Sequence, residues 1–136
     1  MNEARCRALL GAARVGRLAT VRPDGGPHVV VCCFAVEGDR VWTAVDAKPK
    51  SGGRLQRLEN VRANPRASLL VDHYEEDWER LWWVRVDGVA EVLDRGDEEE
   101  RAIAALAARY PQYAEVRPGG PVIAIAIERL TGWSAG

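Results

Sequence analysis

From His28 to Val36 the chain reads HVVVCCFAV, with no polar residue after the histidine. Rich in β-branched residues and bounded by turn signals, the run reads as a strand rather than a helix. A strand this apolar has to be covered on both faces. A core covers one face, and another sheet, a subunit or a planar ligand covers the other. Before it, Arg17 to Arg22 alternate, with Leu18 and Thr20 on one side and Ala19 and Val21 on the other. Pro23, Asp24, Gly25 and Gly26 are turn residues, so 17–36 reads as a hairpin. Glu37, Gly38 and Asp39 then turn the chain into a strand over Val41–Val45, which makes three antiparallel strands in a row, a meander.

The rest of the chain supplies more strands and a few helices. Ala67–Val71 is apolar, and Leu81–Leu93 is the longest strand candidate. Its even positions, Trp82, Val84, Val86, Gly88, Ala90 and Val92, form an apolar face, while Trp83, Arg85, Asp87, Val89 and Glu91 make a mixed one. Trp83 therefore sits on the wrong face for an indole. It needs ordinary cover under a loop or a partner outside its own sheet, such as a second subunit or an aromatic ligand. A last strand carries Ile123, Ile125 and Ile127 on one face, with Trp133 close behind. Asn2 caps a first helix with a stripe of Cys6, Leu9, Leu10 and Ala13. Residues 98–109 form an amphipathic helix with acids in its first turn and Arg109 in its last, ended by Pro111. The expectation is a mainly β (α+β) fold, a six-stranded antiparallel split barrel with flanking helices, as one domain over 1–136.

A basic loop interrupts this pattern. Lys48, Lys50, Arg54, Arg57, Arg62 and Arg66 follow one another with Glu59 as the only acid among them. Ser51 reads as the cap of a helix starting at Gly52 and Gly53, with Leu55, Leu58 and Val61 on its buried side. Cations around glycines at a helix start suit a phosphate. The alternative is a solvated basic turn. The spacing matches no known nucleotide-binding loop.

Charge is balanced, 19 basic against 20 acidic residues, so nothing points to nucleic acid or an anionic membrane. Neither a spanning segment nor a signal peptide is visible, and a cytoplasmic protein is expected. Cys6, Cys32 and Cys33 read as reduced thiols. Adjacent residues on a strand point to opposite faces, so Cys32 and Cys33 hold no shared metal ion, and no metal is expected. A Cys–His nucleophile using Cys32 or Cys33 with His28 or His73 is a competing reading; Cys32 and His28 share a strand face but sit too far apart for a direct hydrogen bond, because four strand residues span roughly 13 Å.

The order of parts, PHVVVCCF, VWTAVD, a basic helix ending NPRASLLVD, then LWWVRVDGVAEV, resembles the pyridoxamine 5'-phosphate oxidase-like split barrels over nearly the whole chain. KPK, NPRASLLVDHYEEDW, LWWVRVDG and GWSA resemble more closely the group of these proteins thought to use the deazaflavin coenzyme F420. The resemblance implies a homodimer with the cofactor at its interface. The ring would lie against Val30–Phe34, including Val31 and Cys32, and against Trp42–Val45, with Thr43 as a polar contact. Arg57 falls where a phosphate-binding residue stands, with Lys48, Lys50 and Arg54 in support, and Trp83 reaches in from the facing strand. Trp42 also reads as a core aromatic.

A ring cofactor does the redox chemistry itself, which accounts for the lack of a triad or carboxylate pair. The resemblance implies hydride transfer between reduced F420 and a small, planar, electron-poor substrate. FMN as cofactor, a dimer that binds flavin or haem without catalysis, and a purely structural dimer are the alternatives.

Overall fold

The computed structural model describes residues 1–45 and 55–136. Strands run over Gly16–Val21 (β1), Pro27–Cys32 (β2), Ala35–Glu37 (β3), Arg40–Ala44 (β4), Arg66–His73 (β5), Trp82–Leu93 (β6) and Val122–Ser134 (β7). All seven join one antiparallel sheet in the order β2-β1-β5-β6-β7-β4-β3. The strands at its two ends, β2 and β3, are separated in the chain by Cys33 and Phe34 alone. Three peptide steps reach at most roughly 11 Å, so the sheet must curl until its ends nearly meet. The result is a half-barrel.

This geometry corrects two expectations. The apolar run at 28–36 is two strands rather than one, which raises the count to seven. Nor is there a meander: β2 pairs with β1, and β3 pairs with β4 at the far end of the sheet. The break falls at Phe34, which turns fully into the core. Its backbone is held by Tyr110, whose hydroxyl accepts from the Phe34 N–H at 3.1 Å. The same hydroxyl lies 2.9 Å from the carbonyls of both Phe34 and Arg14, which share its one proton.

The barrel interior is filled by Leu18, Leu69, Val71, Val84, Val86, Ile123 and Ile125, all without measurable exposure. One helix, Glu3–Ala12 (α1), closes one end with Cys6 and Leu10; its cap is Asn2, as expected. A second, Gln56–Ala63 (α2), closes the other end with Leu58 and Val61. Buried Asn60 ties α2 to the sheet by donating to Thr20 Oγ1 at 3.0 Å. The described helix starts at Gln56 with Leu55 at its N-cap, which lends no side-chain bond. The expected start at Ser51, Gly52 and Gly53 lies outside the described residues.

A second core covers the other face of β4 and β7. The helix Asp97–Arg109 (α3) lays Ala102 and Leu106 on Ala35, Trp42, Ala44, Val122 and Ala124. Glu98 fastens this layer, accepting from Arg40 Nε at 2.7 Å and Trp42 Nε1 at 2.8 Å. The Arg40 guanidinium holds the Glu98 carboxyl below the usual range, and the indole adds to this against the opposing effect of burial. Pro111 ends α3, as expected, and opens a short helix, Pro111–Glu115 (α4). No helix among the described residues is long and apolar enough to cross a membrane.

Tyr110→Phe should leave the buried Phe34 N–H without its acceptor and cost about 1–3 kcal/mol in urea unfolding, with the m-value unchanged. A loss under about 0.5 kcal/mol would show that the hydroxyl does not hold the sheet ends together.

Candidate functional site

The outer face of the sheet is built by register. Arg17 lies opposite Val31 and Leu70, Leu70 opposite Arg85, and Arg85 opposite Thr131. One row further along stand Asp72, Trp83 and Trp133. The position of Trp133 depends on an irregularity: Asp87 pairs with Arg129 but Gly88 with Ile127, so β7 carries an extra residue, Glu128. An odd insertion reverses which side chains of β7 face inward. Ile123 and Ile125 point into the barrel, whereas Thr131 and Trp133 point out. Gly88 permits this, since a Cβ there would stand 2.1 Å from the Ala126 carbonyl oxygen.

Trp83 and Trp133, side by side, line an open cleft of about 450 Å³ with Leu70, Tyr74, Trp82 and Arg85. Trp133 is 45 % exposed. Across the same face Val29 and Val31 are 61 % and 67 % exposed, so the face carries an uncovered apolar surface. Its charges are arranged in sequence. Arg17 pairs with Asp72 at 2.7 Å. Ser68 Oγ donates to Asp87 at 2.6 Å, and Arg85 Nε donates to the other Asp87 oxygen at 2.9 Å. Burial would raise the Asp87 carboxyl, but Ser68, Arg85 and Arg129 outweigh it and keep the group below its ordinary range. The Arg85 guanidinium stands over the Trp83 ring, 5.6 Å from its centroid.

A different group of the expected residues meets at the barrel corner. Thr43 is buried and donates to the Cys33 carbonyl at 2.8 Å. Cys32 is buried beside it. Burial pushes its thiol up, only partly offset by the Thr43 hydroxyl and the Arg57 charge, so it stays protonated at neutral pH and offers no thiolate nucleophile. Arg57, in the first turn of α2, also acts on His28. Burial, then Arg22 and Arg57, lower the His28 imidazole below its ordinary value. Its Nδ1 is buried and has no hydrogen-bond partner. Among the described residues, β2 pairs on one side only, leaving its second edge open next to this corner.

Thus the corner brings together Thr43, Cys32 and Arg57, while His28 stands roughly 13 Å back along β2, still within reach of the Arg57 charge. Trp83 is elsewhere: Thr43 lies opposite Ile123 and Trp83 opposite Trp133. That separation along β7 is roughly 33 Å at the usual rise per residue, too far for one small ring to touch both within one chain. Trp42 is sealed under α3, so its side chain belongs to the core. Val31 stands on the outer face. Lys48, Lys50 and Arg54 lie outside the described residues. Sequence reasoning missed Ser68, Arg85 and Asp87, although the alternation in β6 had placed Arg85 and Asp87 on the Trp83 face.

The chain belongs to the pyridoxamine 5'-phosphate oxidase family, whose model matches residues 3–134. It is 33% identical over 93 residues to the 5a,11a-dehydrotetracycline/5a,11a-dehydrooxytetracycline reductase of Streptomyces rimosus, a match covering 68% of this chain and 64% of that protein. This chain therefore spans somewhat under two thirds of that relative. Among solved structures it is similar to a conserved hypothetical protein from Mycobacterium tuberculosis, with a TM-score of 0.81 and 26% identity over 99% of this chain and 86% of the other. It is also similar to a FAD-binding protein from Mesorhizobium loti, with a TM-score of 0.74 and 28% identity over 97% and 94%.

His28 should titrate below the ordinary imidazole range in ligand-free protein by two-dimensional NMR, because burial and two guanidinium groups favour the neutral ring. A phosphate held at Arg57 stabilises the imidazolium and should raise that value. An unchanged value on saturation with FMN or F420 would place the phosphate elsewhere.

Proposed function

We propose that this chain is an oxidoreductase that uses reduced coenzyme F420 to transfer a hydride to a small, planar, electron-poor substrate, working as a homodimer. The observation that carries this reading is the division of the site. A cationic corner with an open strand edge and a tryptophan cleft occupy separate places on one chain, and two copies set face to face unite them. The likeness to a reductase supports the reaction class, and the motifs KPK, NPRASLLVDHYEEDW and LWWVRVDG support the deazaflavin.

The corner fits a ring cofactor with a phosphate tail. Arg57 and the neighbouring Arg22 supply positive charge, and the orphaned His28 Nδ1 lacks the partner that a ligand oxygen or its proton would give. The open edge of β2 presents backbone N–H groups to the ring carbonyls, where they stabilise charge developing during reaction. Buried Thr43 and the protonated Cys32 thiol shape that surface. The cleft of a second copy provides the facing wall, where Trp83 and Trp133 stack on a flat molecule and exclude water. Lys48, Lys50 and Arg54 are assigned to the phosphate alongside Arg57. When bound, the reduced deazaflavin supplies the hydride.

FMN is the second reading, favoured by the likeness to the FAD-binding protein. Parallel calorimetric titrations with F420 and FMN decide between them, and oxidation of reduced F420 by a panel of quinones and nitroaromatics tests catalysis. Tighter binding of F420 with turnover is the expected result; tighter FMN binding, or binding without turnover, overturns it. Arg57→Ala should weaken cofactor binding more than tenfold with little change in melting temperature; an unchanged Kd removes Arg57 from the site. Trp83→Ala should lower both dimer stability and cofactor affinity, measured by sedimentation and calorimetry. A Trp83→Ala variant with unaltered values in both would end the face-to-face arrangement.

A further inference from the structure

We infer that Arg85 selects the substrate: the tryptophan cleft takes planar molecules bearing an anionic oxygen, a carboxylate or an enolate, and discriminates against their neutral analogues. This rests on the reading of the cleft as a ligand site and goes beyond it by naming the chemical class.

Arg85 is tethered through one nitrogen. Its Nε donates to Asp87, which Ser68 fixes from the far side, and the relay of 2.6 Å and 2.9 Å bonds sets the guanidinium above the Trp83 ring. Its two Nη groups have no protein acceptor among the described residues, and the residue lines the wall of the cleft. The other charge lining the same wall, Asp72, is already matched by Arg17 at 2.7 Å. Asp87 feels the charge of Arg129 as well as that of Arg85, so it is shared between two guanidinium groups. A guanidinium fork next to an indole recognises a flat ring by stacking and its coplanar oxygens by paired N–H bonds. An ordinary surface ion pair would need neither the Ser68 brace nor the aromatic platform.

The test is calorimetric titration of the full chain with 2-naphthoate and, separately, with the neutral 2-naphthamide of the same shape. The carboxylate should bind about tenfold more tightly, the preference shrinking with added salt. Arg85→Met keeps the packing of the stem, and should abolish the preference while leaving amide affinity within about twofold. Asp87→Asn and Ser68→Ala, which release the relay, should each reduce the preference without removing it, and Arg85→Lys should retain part of it. Equal wild-type affinities, no binding of either probe, or a preference that survives Arg85→Met would each overturn the assignment. Titration of Arg85→Met with F420 and FMN separates this from the cofactor reading. Cofactor affinity should be unchanged there, and its loss would mean that Arg85 serves the cofactor rather than the substrate.

Discussion

The two residues that join β2 to β3 set the shape of everything else. Cys33 and Phe34 have to bridge strands that stand at opposite ends of a seven-stranded order, and only a curled sheet lets so short a link do it. A curled sheet leaves backbone groups at the break without ladder partners, a cost the interior cannot tolerate. Tyr110 meets it from the C-cap of α3, serving the Phe34 N–H and sharing its proton between two carbonyls. Arg109 Nε donates to the same phenol oxygen at 3.1 Å, so the end of α3 is bound into the corner as well. The corner beside this break is where Thr43, Cys32 and the charge of Arg57 meet, and it exists because the barrel is almost closed rather than open.

Closure also explains the two cores. One face of the sheet surrounds an interior plugged at its ends by α1 and α2, and the part of the outer face formed by β3, β4 and β7 is roofed by α3. The Arg40–Glu98–Trp42 cluster belongs to that roof. The remaining outer face, over β2, β1, β5, β6 and the far half of β7, has no helix laid over it among the described residues. That is where Val29, Val31, Leu70 and the paired tryptophans stand exposed. The sheet is thus divided: the part under α3 is packed, and the rest of the outer face is exposed.

The acidic run after β5, which carries no proposed role, is accounted for structurally. His73 and Glu75 meet at 2.5 Å, and Asp77 caps a 3-10 turn at Trp78–Arg80. His73 stacks on Trp82 with centroids 6.2 Å apart, which props one rim of the aromatic cleft.

The sequence by itself determined where most strands and the helices Glu3–Ala12 and Asp97–Arg109 lie and which faces of those strands turn inward. Alternation and capping are local properties, written in residues two to four positions apart. It placed Trp83 on an outer face, gathered the cations that include Arg57, and carried the family signature. Two things it left open, because both depend on partners distant in the chain. The break at Phe34 is invisible in an unbroken apolar run, since it is created by a tyrosine 76 positions away. The outward turn of Trp133 contradicts the isoleucine alternation, which would send an odd-numbered residue inward. Only the pairing of β6 with β7, where Gly88 lets the Ala126 carbonyl close in and admits one extra residue, reverses the faces and sets the two indoles together.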